Sequence, residues 1–181
     1  TEAEKAAEAK KEADAKVTII GDIANRQGDF VPSTISVTVP TAANFSVDGS
    51  GNTVSPNIQI TSRGEEPVSV IVNGFYDTTE ENSINVVSES DLESDPNGNK
   101  VALKLTGDTK SVVLKSKGGT NGLFKPDGST PATEEDTMLG TVTKSNPVNL
   151  TLDVKVKSGE RVFPANPLKD QFTLKLKLKK A

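Results

Sequence analysis

Two stretches of this chain alternate apolar and polar residues without a break, and a period of two can only be satisfied by extended backbone. In Asp170-Gln-Phe-Thr-Leu-Lys-Leu-Lys-Leu-Lys179, Phe172, Leu174, Leu176 and Leu178 hold every second position, with Thr173, Lys175, Lys177 and Lys179 between them. Val148-Asn-Leu-Thr-Leu-Asp-Val-Lys-Val156 repeats the form. Successive side chains of a strand leave on opposite faces, so each segment gathers its apolar residues on one side; a helix would scatter them around its axis. The spacing predicts two half-buried antiparallel strands. The connection Ser158–Lys169, with Pro164 and Pro167, is expected to return the second beside the first, with its lysine row facing water.

Composition narrows what such strands can build. The chain has 181 residues, enough for one domain with an appendage, and aromatics make up only 4% with no Trp. The core must therefore be Val, Ile and Leu, which suits a thin sandwich better than a deep enzyme cleft. Cys and His are both absent, which removes disulfides, thiol chemistry, the commonest general base and the commonest transition-metal ligand. A Ser–Lys dyad would need a strand–helix junction that the pattern lacks. Lys117-Gly-Gly-Thr-Asn-Gly122 has no Walker lysine. A carboxylate pair for glycoside cleavage would lack its aromatic sugar platforms. The chain is therefore expected not to be an enzyme, and no cofactor is implied.

Net charge is −4, unevenly spread: residues 1–99 carry 6 basic and 17 acidic side chains, a balance of −11, and residues 100–181 carry 15 and 8, a balance of +7. The two halves can pair inside one sandwich, or they can give surfaces of opposite charge that stack head to tail. Nucleic acid is disfavoured as a partner by the negative charge and the scarcity of aromatics. No run of about 18 apolar residues exists, so no membrane span is expected. The chain begins at Thr1 without Met, as a chain released from a secretory precursor does, and a removed leader is expected.

Three parts follow along the chain. Residues 1–16 (TEAEKAAEAKKEADAK) combine alanine with Glu/Lys pairs at helical spacing, which predicts a charged helix with almost no apolar face. Residues 17–23, Val-Thr-Ile-Ile-Gly-Asp-Ile, form a short apolar strand with no neighbour in sequence to pair with, so its partner lies far along the chain or on another chain. Residues 24–181 form the body, with strands expected at 34–40, 44–47, 57–61, 68–75, 84–87, 100–105, 111–115 and 138–144 besides the two above. The pair 57–61 and 68–75 reads as a hairpin across a sandwich edge. Residues 88–99 read as an exposed acidic loop, and 116–136 as a long excursion anchored by Leu123 and Phe124. Nine or ten short strands with long connections make an all-β, immunoglobulin-like or jelly-roll-like sandwich with a short N-terminal helix.

One loop offers oxygen ligands at alternate positions: Asp91, Glu93, Asp95 and Asn97. Calcium loops have this spacing, but an EF-hand reading from Glu93 places Lys104 where the bidentate Glu belongs. A solubilising turn and a weak calcium site both remain open.

Ile35-Ser-Val-Thr-Val-Pro40, Pro56-Asn-Ile-Gln-Ile-Thr61, Glu66-Pro-Val-Ser-Val-Ile-Val72 and the closing Phe172-Thr-Leu-Lys-Leu-Lys-Leu178 resemble, in layout across residues 17–179, secreted β-sandwich proteins of Gram-positive (Firmicutes) bacteria. These are the fibre-forming matrix proteins of the TasA/camelysin type and the WxL-type surface proteins. The resemblance implies an extracellular structural protein, on the cell surface or in a pilus-like or biofilm-matrix filament, assembling with copies of itself by donor-strand exchange. Physics allows that independently: a sandwich with an open strand edge accepts an extended segment from a neighbour. Val17, Ile19, Ile20 and Ile23 are the expected subunit-interface residues. The alternative is an adhesion or glycan-binding module that meets cell-wall or host glycans through loops 88–99 and 116–136.

Overall fold

The long alternating segments fold as strands and pack, as two sheets, around one aliphatic core. The structure, a computed structural model, describes residues 12–15, 35–77, 84–115 and 122–181. In chain order the strands are β1 (Glu12–Ala15), β2 (Val37–Thr38), β3 (Ser46–Val47), β4 (Thr53–Val54), β5 (Asn57–Ser62), β6 (Val68–Asp77), β7 (Asn85–Val87), β8 (Lys100–Thr106), β9 (Ser111–Leu114), β10 (Leu123–Phe124), β11 (Met138–Val142), β12 (Val148–Lys155) and β13 (Phe172–Lys180). A one-turn helix, α1 (Glu134–Thr137), precedes β11, and a 3-10 helix spans Glu89–Leu92.

One sheet has the order β1-β13-β6-β11 and the other β10-β9-β8-β12-β5-β2, with β7 beside β8 and β3-β4 a separate hairpin. All pairings are antiparallel except β7 on β8. The fold is thus an all-β sandwich, as the turn-punctuated pattern predicts. Between the sheets, Val68, Val70, Val72, Phe75, Leu139, Leu176 and Leu178 meet Ile58, Ile60, Leu103, Leu105, Val112, Leu150, Leu152 and Val154. Each fully buried aliphatic side chain contributes roughly 1.5–3 kcal/mol relative to exposure. The aromatic share of the core is Phe75, stacked on Phe172 at 5.3 Å, which in turn stacks on Phe45 at 6.4 Å.

Alternation alone does not carry β6 through. Lys175 pairs with Gly74 but Leu176 pairs with Val72, so Asn73 is an extra residue on β6. This bulge resets the phase, and Phe75 points into the core along with Val68, Val70 and Val72.

Several expectations are corrected. β12 and β13 are not partners: β12 lies between β5 and β8, and β13 lies in the opposite sheet against β6. Both edges of β12 are already taken, and the connection between the two strands is long enough to cross the sandwich. β13's lysine row does not simply face water, since Lys177 and Lys179 reach Glu134 of α1 at 3.5 and 3.9 Å. β5 and β6 also belong to different sheets, so residues 63–67 arch between layers and close no two-stranded hairpin. The strand expected over 34–40 shrinks to β2.

Residues 12–15 are a strand paired with β13, where the charged helix was expected to run to residue 16. An isolated helix with no apolar face is marginal in water. A sheet edge, by contrast, offers a ladder of backbone partners, and Glu-Ala-Asp-Ala also fits a period of two. Residues 1–11 and the expected donor strand 17–23, with Val17, Ile19, Ile20 and Ile23, lie outside the described residues.

The charge asymmetry is met within the molecule. Acidic residues of the first half pair with basic ones of the second: Glu65 with Lys144, Glu66 with Lys180 (3.3 Å) and Glu89 with Lys155 (2.7 Å).

Candidate functional site

The first candidate surface is the outer edge of β13. On its inner side β13 pairs with β6 from Phe172 to Lys180. On its outer side the described residues cover only Leu176 to Lys179, through Ala15↔Leu176, Asp14↔Lys177, Ala13↔Leu178 and Glu12↔Lys179. Leu176 and Leu178 are buried beneath this cover, and Phe172 and Leu174 beyond it are half-buried. The register also sets acidic residues opposite Lys177 and Lys179 and alanines opposite the two leucines.

The acidic loop proves to be built around its own carboxylates. Asp95 is buried and accepts hydrogen bonds from the backbone N–H of Asn99 (3.1 Å) and Lys100 (3.3 Å). Asp91, in the 3-10 helix, accepts from Ser88 Oγ. That bond, with help from the Lys115 and Lys100 ammonium groups, holds its carboxyl below the ordinary value. Leu92 is buried on the same turn, so 88–99 is less exposed than its composition implies. Glu93 and Asn97 are exposed. Among the described residues no three acidic side chains converge on one point. The other loop behaves alike, since Asp127 accepts from the N–H groups of Thr130 (2.8 Å) and Ser129 (2.7 Å), which depress its pKa strongly.

The second candidate surface is a cleft of about 710 Å³ where three connections meet: the β3–β4 turn, Gly98–Lys100 at the start of β8, and the β12–β13 connection. Two glycines with left-handed backbone let these connections touch. At Gly98 (φ +67) a Cβ would collide with the Val162 carbonyl, and at Gly51 (φ +85) it would lie 2.9 Å from Arg161 Nη1. Arg161 lines the cleft with its guanidinium 5.5 Å from the centre of the Phe163 ring. Its Nε and Nη1 are buried and have no hydrogen-bond partner among the described residues. Phe163 itself is 55% exposed, an unusual state for one of only six Phe residues in the chain.

No family model matches the chain, and comparisons with curated proteins and with solved structures found no match. No helix among the described residues is long and apolar enough to cross a membrane.

Sequence reasoning overlooked Arg161. The available signal was its type: an arginine in a chain whose basic residues are mostly lysine, set two residues before a phenylalanine in a Pro-rich connection.

Proposed function

We propose that the chain is a non-catalytic, extracellular structural subunit that polymerises head to tail by strand exchange onto the outer edge of β13. The observation that carries this reading is the cover of that edge: β13 is nine residues long and, among the described residues, the strand on its outer side is four. The facing residues of β1 and β13 sum to one constant register, 12 with 179 through 15 with 176. The same offset sets position 17 opposite Leu174 and position 19 opposite Phe172, so exchange means that a second copy supplies the segment from 12 to 23 in place of the chain's own. Its apolar residues then join the face that Leu174 and Phe172 leave half-buried. Strand addition of this kind supplies main-chain hydrogen bonds for affinity and alternate side chains for specificity. A donor edge and an acceptor edge on different parts of one molecule make a contact that does not close, and repetition gives a filament.

The test is deletion of residues 1–23, followed by negative-stain microscopy and sedimentation. The expected result is filaments from the full chain and a folded but less stable monomer from the deletion. Filaments of normal length from the deleted chain would overturn the assignment of the donor.

A further inference from the structure

We propose that Asn97 is a site of spontaneous covalent modification, at which the chain turns its own asparagine into isoaspartate and aspartate through the backbone nitrogen of Gly98. The reaction needs no partner but water. The deprotonated nitrogen attacks Cγ of the preceding asparagine, and the new C–N bond closes a five-membered succinimide. The Cγ–Nδ2 bond breaks and the side-chain nitrogen leaves as ammonia. Water then opens the ring at one of its two carbonyl groups. One opening gives aspartate; the other gives isoaspartate, whose main chain runs through Cβ and Cγ. The sum is asparagine and water going to a carboxylic acid and ammonia, with nothing oxidised or reduced. Three conditions favour it: an exposed asparagine, a following residue without a Cβ in the way, and an N–H that is not already bonded.

The chain has three Asn-Gly pairs, Asn73-Gly74, Asn97-Gly98 and Asn121-Gly122, and the structure separates them. Gly74 is buried, paired with Lys175 in the ladder and roofed by the Tyr76 ring. Gly122 is buried, and its N–H donates to the Phe75 carbonyl at 3.3 Å. Asn97 instead stands exposed on a turn with Pro96. The Asp95 carboxylate takes the N–H groups of Asn99 and Lys100 and passes over the one between. Among the described residues nothing accepts from the Gly98 N–H. A buried, paired backbone reacts only when the structure opens locally, whereas an exposed turn needs no such opening. Packing also keeps the reactive pair in place. Gly98 holds φ +67 and an added Cβ would run into the Val162 carbonyl, so no other residue fits after Asn97. Isoaspartate would lengthen the main chain by one carbon at that contact and add a carboxylate to a loop that already holds Asp91, Glu93 and Asp95. The modified chain is therefore expected to melt at a lower temperature. The reaction uses neither β13 nor the N-terminal segment, so it stands apart from how the chain polymerises.

Peptide mapping by mass spectrometry tests this on the full chain, incubated folded in mildly alkaline buffer and in parallel unfolded in concentrated urea. Each conversion is read as the mass change from asparagine to aspartate, with isoaspartate resolved by its separate elution. In urea the three asparagines are expected to convert at similar rates, since each precedes a glycine. In the folded chain Asn97 is expected to convert about tenfold or more faster than Asn73 and Asn121. Asn97→Ala is expected to remove the first acidic species seen on ion exchange and to leave the other two rates unchanged. The comparison of sites on the unaltered chain needs no variant, so it stands whatever Asn97→Ala does to the turn. Conversion of Asn73 or Asn121 as fast as Asn97 in the folded chain would overturn the proposal. Protection of Asn97 in the folded chain by about tenfold or more relative to its rate in urea would overturn it equally.

Discussion

β12 and β13 share one sequence pattern and meet different fates. β12 pairs with β5 over Val148–Thr151 and with β8 over Thr151–Lys155, and Val148, Leu150, Leu152 and Val154 are buried along its whole length. β13 is paired with β6 from end to end, and among the described residues its other edge is paired only from Leu176 to Lys179. Where β1 lies opposite, Leu176 and Leu178 are 4% and 3% exposed; toward Phe172 the described residues provide a partner on one side alone. The two strands have equal means of burying a face, and differ in which neighbours lie along them and over which residues. An alternating strand specifies which side chains go inward, while its neighbours are decided elsewhere in the chain. What lies along an edge is therefore information about assembly that periodicity does not contain.

The largest effect separates the two strands directly. Leu150→Ala on β12 removes a fully buried side chain and is expected to cost about 2–5 kcal/mol in urea unfolding. Leu174→Ala on β13 removes a half-buried one and is expected to cost under about 1.5 kcal/mol. Its main consequence should be shorter or fewer filaments, since Leu174 lies on the stretch assigned to the donor. If Leu174→Ala costs as much as Leu150→Ala and leaves filaments unchanged, the comparison fails, and β13 is as closed as β12.

The same distinction explains how far the sequence could be read. β5, β8, β12 and β13 were legible because each places apolar residues at every second position against a single core. The pairing of β12 with β13 was misjudged because adjacency in sequence was taken for adjacency in the sheet. β6 was found but its bulge at Asn73 was not, because a phase reset looks like a simple break in alternation. For residues 12–15, Ala, Glu and Asp satisfy a helix and an edge strand equally, and the choice rests on β13, far away in the chain. The calcium reading of Asp91, Glu93, Asp95 and Asn97 saw ligand spacing, but could not see that Asp95 turns inward to backbone N–H groups. Arg161 and the cleft were invisible because three separate connections create them.

A smaller effect concerns the connection that carries the chain from β12 to β13 across the sandwich. Gly98→Ala forces a left-handed backbone on a residue with a side chain and drives its Cβ against the Val162 carbonyl. The cost is expected to be about 1–3 kcal/mol by thermal or urea unfolding. Filament formation on β13 should continue, since its edges use neither Gly98 nor Val162. Loss of filaments in this variant would show that the connection itself takes part in assembly.

Outside both strands, the turns respond to pH. Asp127, Asp48 and Asp136 carry carboxyl groups held below their ordinary value, by N–H groups of Thr130 and Ser129, by Asn52 and by Thr133 respectively. A lowered folded pKa means the unfolded chain takes up protons first as the solution is acidified. The stability these turns contribute is full above about pH 5, and it declines as pH drops past the ordinary carboxyl value toward the lowered folded values. Melting temperature measured from neutral pH downward should trace this decline, and Asp127→Asn should flatten it. A steeper acid limb in that variant would show that the Asp127 turn is not the source.

The smallest effect tests whether the outward face of β13 differs from that of β12. Glu134 of α1 lies within 3.5 Å of Lys177 and 3.9 Å of Lys179, whereas Asp153 of β12 faces Lys104 across the ladder at 3.8 Å. All of these are exposed or only half-covered ion pairs, worth about 0–1 kcal/mol each. Glu134→Ala and Asp153→Ala should each shift the unfolding midpoint slightly, and less at high salt. The two should part company in assembly. The Glu134 change leaves three positive charges, Lys175, Lys177 and Lys179, on the outward face of the acceptor strand with less to balance them. Because the register sets Glu12 and Asp14 opposite two of those lysines, an acidic donor should then be drawn more strongly, and filaments should nucleate faster at low salt. Equal nucleation rates in the two variants would mean that the lysine row serves the fold alone.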